Sequence, residues 1–226
     1  MTRDGHGRDA LPIHSLPLDA TAPRTVETAT FGLGCFWGPD ARFGVLPGVV
    51  RTRVGYAGGS TPSPTYRDLG DHTEVVQVDF DPDVLSYRDL LDQFWRSHDA
   101  RARSPVRQYQ NLVLWHDERQ RTAVEESRAA RETRRGHVST RTEPLSSPGF
   151  TLAEDYHQKY HLRGSGEVFD AVCAVYDEPD AVRESTVAAR LNGFVAGYGT
   201  PGLFDAEADS YGLPADVLET VRARVD

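Results

Sequence analysis

The chain has 226 residues, 38% of them hydrophobic, and 34 Asp and Glu against 25 Lys and Arg, for a formal net charge of −9. That length suits one substantial domain, and an acidic chain whose only lysine is Lys159 shows no basic stripe of the kind nucleic-acid binding requires. No run of about 18 apolar residues offers a membrane span, the first residues lack the apolar core of a signal peptide, and two cysteines, Cys35 and Cys173, make no disulfide framework, so a reducing, cytoplasmic setting is expected.

Residues 1–25 are rich in Asp, Arg, Pro, Gly and Thr without a sustained period and read as a flexible arm or a strap across the surface. Thr28 to Leu33 is a short apolar run that predicts a buried strand, and Pro39 to Leu46 predicts a short helix, with Pro39 in the first turn where its missing N–H costs nothing. Between them lies Gly34-Cys35-Phe36-Trp37-Gly38. A cysteine at a strand-to-helix junction sits near free backbone N–H groups and the positive end of the helix dipole, which favours thiolate. The glycines allow close approach, and Phe36 and Trp37 supply aromatic walls. An inert buried cysteine is the plainer reading of such a residue.

Val49 to Tyr56 alternates as a strand. A Gly-, Ser- and Pro-rich loop follows from Ala57 to Tyr66; its Gly58-Gly59 lacks the Gly-Lys-Ser/Thr of a phosphate cradle. Tyr56 and Tyr66, at its two ends, each read either as core aromatics or as hydroxyls pointing into a cleft. Thr73 to Phe80 is a second strand, with Glu74 directly after His72. Ser86-Tyr87-Arg88-Asp89 is a capping box opening a helix whose stripe Tyr87, Leu90, Leu91, Phe94, Trp95 has core spacing. Gln108 to Trp115 predicts a strand, and Asp117 caps a charged helix to about Arg135, its arginines interleaved with acids as on a solvated face. His137 to Glu143 alternates as a strand.

Phe150 to Leu162 reads as a loop entering a helix, which would place His157 and His161 at i, i+4. That spacing suits zinc, but no HExxH pattern or further ligand cluster accompanies it, and no metal is expected. The period Val168, Phe169, Val172, Cys173, Tyr176 puts Cys173 on an apolar helix face. Asp180 to about Val195 and Leu213 to Val225 are further helices. The order predicts an α/β (α+β) fold: a two-layer sandwich of a mixed β-sheet covered by helices, with long irregular loops. The expected organisation is an N-terminal arm (1–25), a catalytic domain (26–200) and a C-terminal helical extension packed on it (201–226).

An ordered set of pieces resembles the peptide methionine sulfoxide reductases of the A type. They are Gly34 to Gly38, Val54-Gly55-Tyr56-Ala57-Gly58-Gly59, Pro64-Thr65-Tyr66, Gly70-Asp71-His72-Thr73-Glu74-Val75, Phe94-Trp95 with His98, Gln108-Tyr109, and Ala153 to Tyr160. The resemblance spans roughly three-fifths of the chain and favours a functional Cys35 over an inert one. It implies that Cys35 attacks the sulfur of a methionine S-sulfoxide, free or in proteins, and that Glu74 supplies the proton a sulfoxide oxygen needs before it can leave. That role calls for a pKa raised by burial. By the same resemblance Tyr66 and Tyr109 hydrogen-bond the sulfoxide oxygen, and Phe36 and Trp37 line the S-methyl pocket. The product would be methionine and a Cys35 sulfenic acid, reduced in turn by an external thiol such as thioredoxin or a low-molecular-weight thiol, without a bound cofactor. The implied role is protein repair under oxidative stress, in a monomer that meets neither nucleic acid nor membrane. The other readings are a non-catalytic sulfoxide-binding or redox-sensing protein, and a reductase of another small methyl sulfoxide. Two departures stand out. Ser104 occupies a position where the family often has Asp. No cysteine follows Cys173, which leaves Cys173 as a candidate resolving residue or as a structural one.

Overall fold

Strands at the five predicted places, joined by a short sixth over Thr151–Leu152 in the stretch expected to be a loop, build one six-stranded sheet. A computed structural model describes residues 16–23, 25–176 and 178–225; His6, His14 and the arm over residues 1–15 lie outside the described residues. The elements that form the sheet and flank it are β1 (Glu27–Gly32), α2 (Trp37–Gly44), β2 (Val49–Ala57), β3 (Thr73–Phe80), α3 (Tyr87–Arg96), β4 (Leu112–Trp115), α4 (Glu118–Arg135), β5 (Arg141–Pro144) and β6 (Thr151–Leu152), with α1 (Pro17–Ala20) preceding them. The sheet order is β5-β4-β1-β3-β2-β6. Only β4 and β5 run parallel; the other neighbours are antiparallel. The sheet is therefore mixed, as expected.

Strand alternation sends Ala29, Phe31, Val54, Val76, Val78 and Val113 to one face, where they meet the α3 stripe Tyr87, Leu90, Leu91, Phe94 and Trp95. Phe31 stacks between Phe43 of α2 and Phe94 of α3, at ring centroid distances of 5.1 and 5.2 Å. Ala57, Val75, Leu112 and Leu114 face the other way, under Leu145 and Phe150. The capping box of α3 is present, Ser86 accepting from the Asp89 N–H and Asp89 from the Ser86 N–H. Such a cap contributes about 1 kcal/mol.

The remaining helices are α5 (Tyr160–Arg163), α6 (Glu167–Cys173), α7 (Pro179–Glu184), α8 (Thr186–Val195), α9 (Pro201–Glu207) and α10 (Ala215–Arg222). They form a second apolar core with Leu162, Val168, Val172, Leu191, Phe194, Phe204, Tyr211 and Val221 at its centre. Leu16 joins this core. The buried Asp19 carboxylate of α1 accepts from the Tyr176 and Ser185 hydroxyls and the Val187 N–H, so residues 16–20 form a strap across the helices. No helix among the described residues is long and apolar enough to cross a membrane.

Four local expectations need correction. Gln108 and Tyr109 are not in a strand: Arg107–Tyr109 is a 3₁₀ turn and pairing begins at Leu112. In a strand, adjacent side chains would point to opposite faces, and the turn frees both from that alternation. Only Arg141–Pro144 of the segment from His137 pairs. The helix expected from Asp180 to Val195 is two, broken at extended Ser185, whose hydroxyl caps α8 by accepting from the Ala188 N–H. His157 and His161 do not share a helix: Asp155–His157 is a 3₁₀ turn, Gln158 is extended and Lys159 is left-handed at φ 52°.

Lys159 is also where the two cores are joined. Its ammonium is fully buried and donates to Asp40 Oδ1 at 3.2 Å and to the Thr52 carbonyl and hydroxyl oxygens. The Thr52 hydroxyl donates to the same Asp40 oxygen. Asp40 Oδ2 accepts from the Lys159 N–H and from Asn192 Nδ2, both at 3.1 Å. Burial pushes the Lys159 pKa down, with Asp40 opposing. One carboxylate thus ties α2 to β2, to the turn before α5, and to α8. Removing one partner of such a buried pair strands the other charge, at a cost of about 3–5 kcal/mol. Lys159→Met is expected to lose stability on that scale in urea unfolding, and the double variant Asp40→Asn/Lys159→Met to regain most of it.

Candidate active site

β1 ends at Gly32 and α2 begins at Trp37, so the chain turns through four residues. Gly34 takes φ +76° there, a conformation that disfavours a side chain. Cys35 is exposed and Phe36, the residue capping α2, is buried. No side chain of its own caps this helix. Instead the Phe36 N–H donates to Glu74 Oε2 at 3.0 Å. Glu74 stands on β3, register-paired with Tyr56 on β2 and only 1% exposed. Its other oxygen accepts from Gln108 Nε2 at 2.6 Å.

Burial raises the Glu74 pKa, against the lowering effect of the Gln108 and Phe36 donors. The expectation for Cys35 was the reverse, a thiolate favoured by the helix start. Its pKa is instead raised, first by burial of its surroundings and then by the Glu74 charge, which together outweigh the Trp37 N–H that lowers it. The elbow therefore favours a thiol beside a carboxyl group whose pKa is raised by burial.

The two tyrosines reach this point from separate loops. The Tyr66 N–H donates to Glu154 Oε1 at 3.0 Å, and Glu154 Oε2 accepts from the Tyr56 hydroxyl at 2.7 Å. Burial acts to raise the Glu154 pKa, but these donors and its own N–H bring it below the usual carboxylate range. Tyr56, left open between core and cleft, is therefore both: its ring is fully buried and its hydroxyl anchors the Tyr66 loop. Tyr109 lies near enough to Tyr66, Glu74 and Cys35 for each to act on its hydroxyl, whose pKa is raised by burial, by those neighbours and by a hydrogen bond with Tyr66. Asp71 closes the intervening loop by accepting from the N–H and hydroxyl groups of Ser60 and Thr61. Arg107 donates to the Asp71 and Gly58 carbonyls, both at 2.8 Å, so the loop and the turn bearing Gln108 and Tyr109 are fastened to each other.

Phe36 and Trp37 form the aromatic side. Trp37 stacks on Tyr160 with ring centroids 3.6 Å apart and an interplanar angle of 3°, and Phe36 packs on Tyr56 and His157. Cys35, Phe36, Trp37, Tyr66, Glu74 and Tyr109 are thus brought together. Cys173 is not part of this group. It ends α6, half-buried against the helical core, where burial raises its pKa despite Arg163. The Ser104 hydroxyl bonds within its own turn, to the Val106 carbonyl and N–H, and the Ser104 carbonyl accepts from Gln110 Nε2. Among the described residues no three His, Cys, Asp or Glu side chains converge as a metal site would.

Roles for Gln108, Glu154 and His157 were not read from the sequence. All three lie in the pieces that carry the resemblance, but nothing in their spacing tells which group each would face across the sheet. Because Gln108 donates to the ionised form of Glu74, Gln108→Leu is expected to raise the Glu74 pKa further, as measured by carbon-13 NMR titration of the carboxyl group.

Comparison with known proteins supplies the context for this geometry. A family model described as peptide methionine sulfoxide reductase matches residues 27–185, and a second, described as the helical domain of selenoprotein methionine sulfoxide reductase A, matches residues 177–226. The chain is 44% identical over 203 residues to a peptide methionine sulfoxide reductase of Drosophila melanogaster, covering 89% of this chain and 79% of that one. It is 42% identical over 166 residues to a peptide methionine sulfoxide reductase of Azotobacter vinelandii, covering 68% and 77%. Among solved structures it resembles methionine sulfoxide reductase A of Corynebacterium diphtheriae, with 32% identity, a TM-score of 0.54 and coverage of 63% and 76%. It also resembles reduced Mxr1 of Saccharomyces cerevisiae, with 27% identity, a TM-score of 0.57 and coverage of 65% and 89%.

Proposed function

Since the chain belongs to the family of peptide methionine sulfoxide reductases, we propose that it reduces methionine S-sulfoxide, in proteins or free, with Cys35 as nucleophile and Glu74 as acid. The observation that carries this reading is the buried Glu74 carboxyl group, held between the Phe36 N–H and the Gln108 amide and close enough to Cys35 to raise its pKa.

The Cys35 sulfur attacks the sulfoxide sulfur while Glu74 protonates the sulfoxide oxygen. The S–O bond to the substrate breaks, oxygen passes to Cys35, and the thiol proton replaces the one Glu74 gave. Thiol plus sulfoxide thus become sulfenic acid plus thioether, with no net proton. Tyr66 and Tyr109 hold the oxygen, and Phe36 and Trp37 take the S-methyl group. An external thiol then attacks the Cys35 sulfenic acid, releasing water, and a second thiol restores Cys35 as a disulfide leaves. Thioredoxin or a low-molecular-weight thiol fits this step, and a reducing compartment such as the cytoplasm fits a nucleophile that must return to thiol. One chain carries every residue named, which supports action as a monomer. We assign the chemistry to residues 26–200, with 201–226 packed upon them.

Cys35→Ser is expected to abolish reduction, because a hydroxyl is a far weaker nucleophile; activity within tenfold of wild type would remove Cys35 from the mechanism. Glu74→Gln is expected to slow single-turnover sulfoxide loss by about 10²–10⁴-fold, the scale of general acid catalysis, while the protein stays folded. Sulfoxide-reducing enzymes divide by epimer at sulfur, and a pocket with separate walls for methyl, oxygen and the remaining chain should turn over the S epimer only.

Recycling departs from the use of an internal thiol. A half-buried Cys173 with a raised pKa is poorly suited to attack a sulfenic acid. Stoichiometric oxidation by substrate, followed by alkylation and mass mapping, is expected to find Cys35 as sulfenic acid and Cys173 as a thiol. A Cys35–Cys173 disulfide as the main product would make Cys173 the resolving residue.

A further inference from the structure

We propose that Arg42, held by Tyr198 over the open face of α2, binds a carboxylate of the thiol that recycles Cys35, and that this reductant is a low-molecular-weight thiol carrying a carboxylate. This rests on the reading of Cys35 as a residue that passes through a sulfenic acid.

α2 buries Pro39, Asp40, Ala41, Phe43 and Gly44 and leaves Trp37, Gly38 and Arg42 partly exposed. Trp37 is turned onto Tyr160. Gly38 and Arg42 are four positions apart and share a helix face, and exposed Cys35 stands three residues before Gly38, at the head of that face. Gly38 adds no side chain, so the surface between the sulfur and Arg42 is bare backbone. Helix side chains lean towards the N-terminus, which carries the Arg42 guanidinium back along this face towards Cys35.

The helical layer fixes the guanidinium there. Arg42 Nη2 donates to the Tyr198 hydroxyl at 3.3 Å, and its guanidinium carbon lies 4.6 Å from the centre of the same ring. That hydroxyl oxygen is 3.7 Å from where a Cβ on Gly38 would stand. The cation is thereby brought to the first turn of α2, which begins beside Cys35. Tyr198 is held in its turn. Gly197 and Gly199 on either side take φ of 80° and 87°, and the Tyr198 N–H donates to the Gly193 carbonyl at 3.0 Å. A Cβ on Gly199 would lie 2.7 Å from Phe194 and 2.9 Å from Val45, so this turn is pressed onto the end of α2.

Among the described residues no carboxylate pairs with Arg42; its contacts are the hydroxyl and the ring face of Tyr198. The one acid of α2, Asp40, faces inward and accepts from Thr52, Lys159 and Asn192. In a chain of net charge −9, a cation without a carboxylate one turn from an exposed sulfur is a local complement to an anion. A guanidinium matches a carboxylate in shape as well as charge, since two parallel N–H groups meet its two oxygens. Seven residues of helix cover about 10 Å, and the lean of Arg42 shortens the gap to the sulfur. A thiol peptide of two or three residues reaches about that far.

In this step the ligand thiolate attacks the sulfur of the Cys35 sulfenic acid. The S–S bond forms as the S–O bond breaks, and the hydroxyl leaves as water with the proton of the ligand thiol. A second thiol then attacks the ligand sulfur of the mixed disulfide, and Cys35 leaves and takes that thiol's proton.

The test uses N-acetyl-Cys-Gly-Gly as the free acid and as the carboxamide, which differ at one charge. Cys35 sulfenic acid is formed with one equivalent of a methionine sulfoxide peptide, and its loss is followed by dimedone trapping and mass spectrometry. The reading is the acid-to-amide ratio of rates per thiolate within one protein, from which any loss of folded protein cancels. We expect a wild-type ratio of about two to five, the scale of an exposed ion pair, falling towards one at high salt. Arg42→Gln should bring the ratio to about one and Arg42→Lys should keep most of it. A wild-type ratio of one at low salt, or a ratio kept in Arg42→Gln, would overturn the proposal. Rapid reduction by thioredoxin beside a wild-type ratio of one would also overturn it and assign the step to a dithiol protein. If the sulfoxide left Cys35 unoxidised, the reductase reading would fail, and sulfenic acid made with hydrogen peroxide would still give the ratio that decides on Arg42.

Discussion

The Asp40 carboxylate is the point through which the sheet, the helix after Cys35 and the C-terminal helices are held in one arrangement. Asp40 sits in the first turn of α2, and its four donors come from β2, from the turn before α5 and from α8. Small residues let α2 and α8 approach closely: a Cβ on Gly44 would lie 2.6 Å from the Ala189 carbonyl oxygen, and one on Gly193 would lie 2.6 Å from that of Ala41. Arg190 of α8 adds a donor to the Gly44 carbonyl. The helix that begins beside Cys35 is therefore fixed along its buried length by the helical layer. Lys159, which anchors this cluster, lies two residues from His157 and next to Tyr160, the two residues that hold Trp37. The same short segment sets the helix and the aromatic wall.

Two carboxylates, Glu74 beside Cys35 and Glu154 under the Tyr66 loop, are driven in opposite directions by their surroundings. Glu74 is buried with two donors and its pKa goes up; Glu154 has more donors and its pKa goes down. Environments that separate two acids in this way also separate their tasks. Glu74 is suited to give a proton, and Glu154 to stay charged and grip the Tyr56 hydroxyl and the Tyr66 backbone.

Much of this was legible in the sequence wherever a short-range period or cap decides the outcome. The period-2 run at 73–80, the capping box at Ser86 and the Asp117 cap each fixed an element. Cys35, Glu74 and both tyrosines were legible through ordered motifs. The failures share a cause, which is long-range contact overriding a local period. Gln108 and Tyr109 read as strand, but the bonds of Gln108 to Glu74 and of Arg107 to the neighbouring loop hold them in a turn. The i, i+4 spacing of His157 and His161 suggested one helix face, and left-handed Lys159, bound into the Asp40 cluster, breaks it. The Cys35 thiol illustrates the same limit: a helix start is visible in the sequence, whereas the approach of Glu74 from a strand 39 positions away is not.

That approach changes how Cys35 would work as the proposed nucleophile. A permanently ionised Cys35 would be open to any oxidant that reaches an exposed sulfur. Burial raises the pKa values of both Cys35 and Glu74, and the Glu74 charge opposes ionisation of the Cys35 thiol. In the proposed reaction the sulfoxide oxygen needs a proton as the sulfur attack begins. Glu74 can give one, and once it has, the thiol proton has somewhere to go. Ionisation of Cys35 is then favoured when a proton acceptor occupies the site rather than at rest. The elbow would couple nucleophile activation to the arrival of the sulfoxide, using burial and one neighbouring charge in place of a standing thiolate.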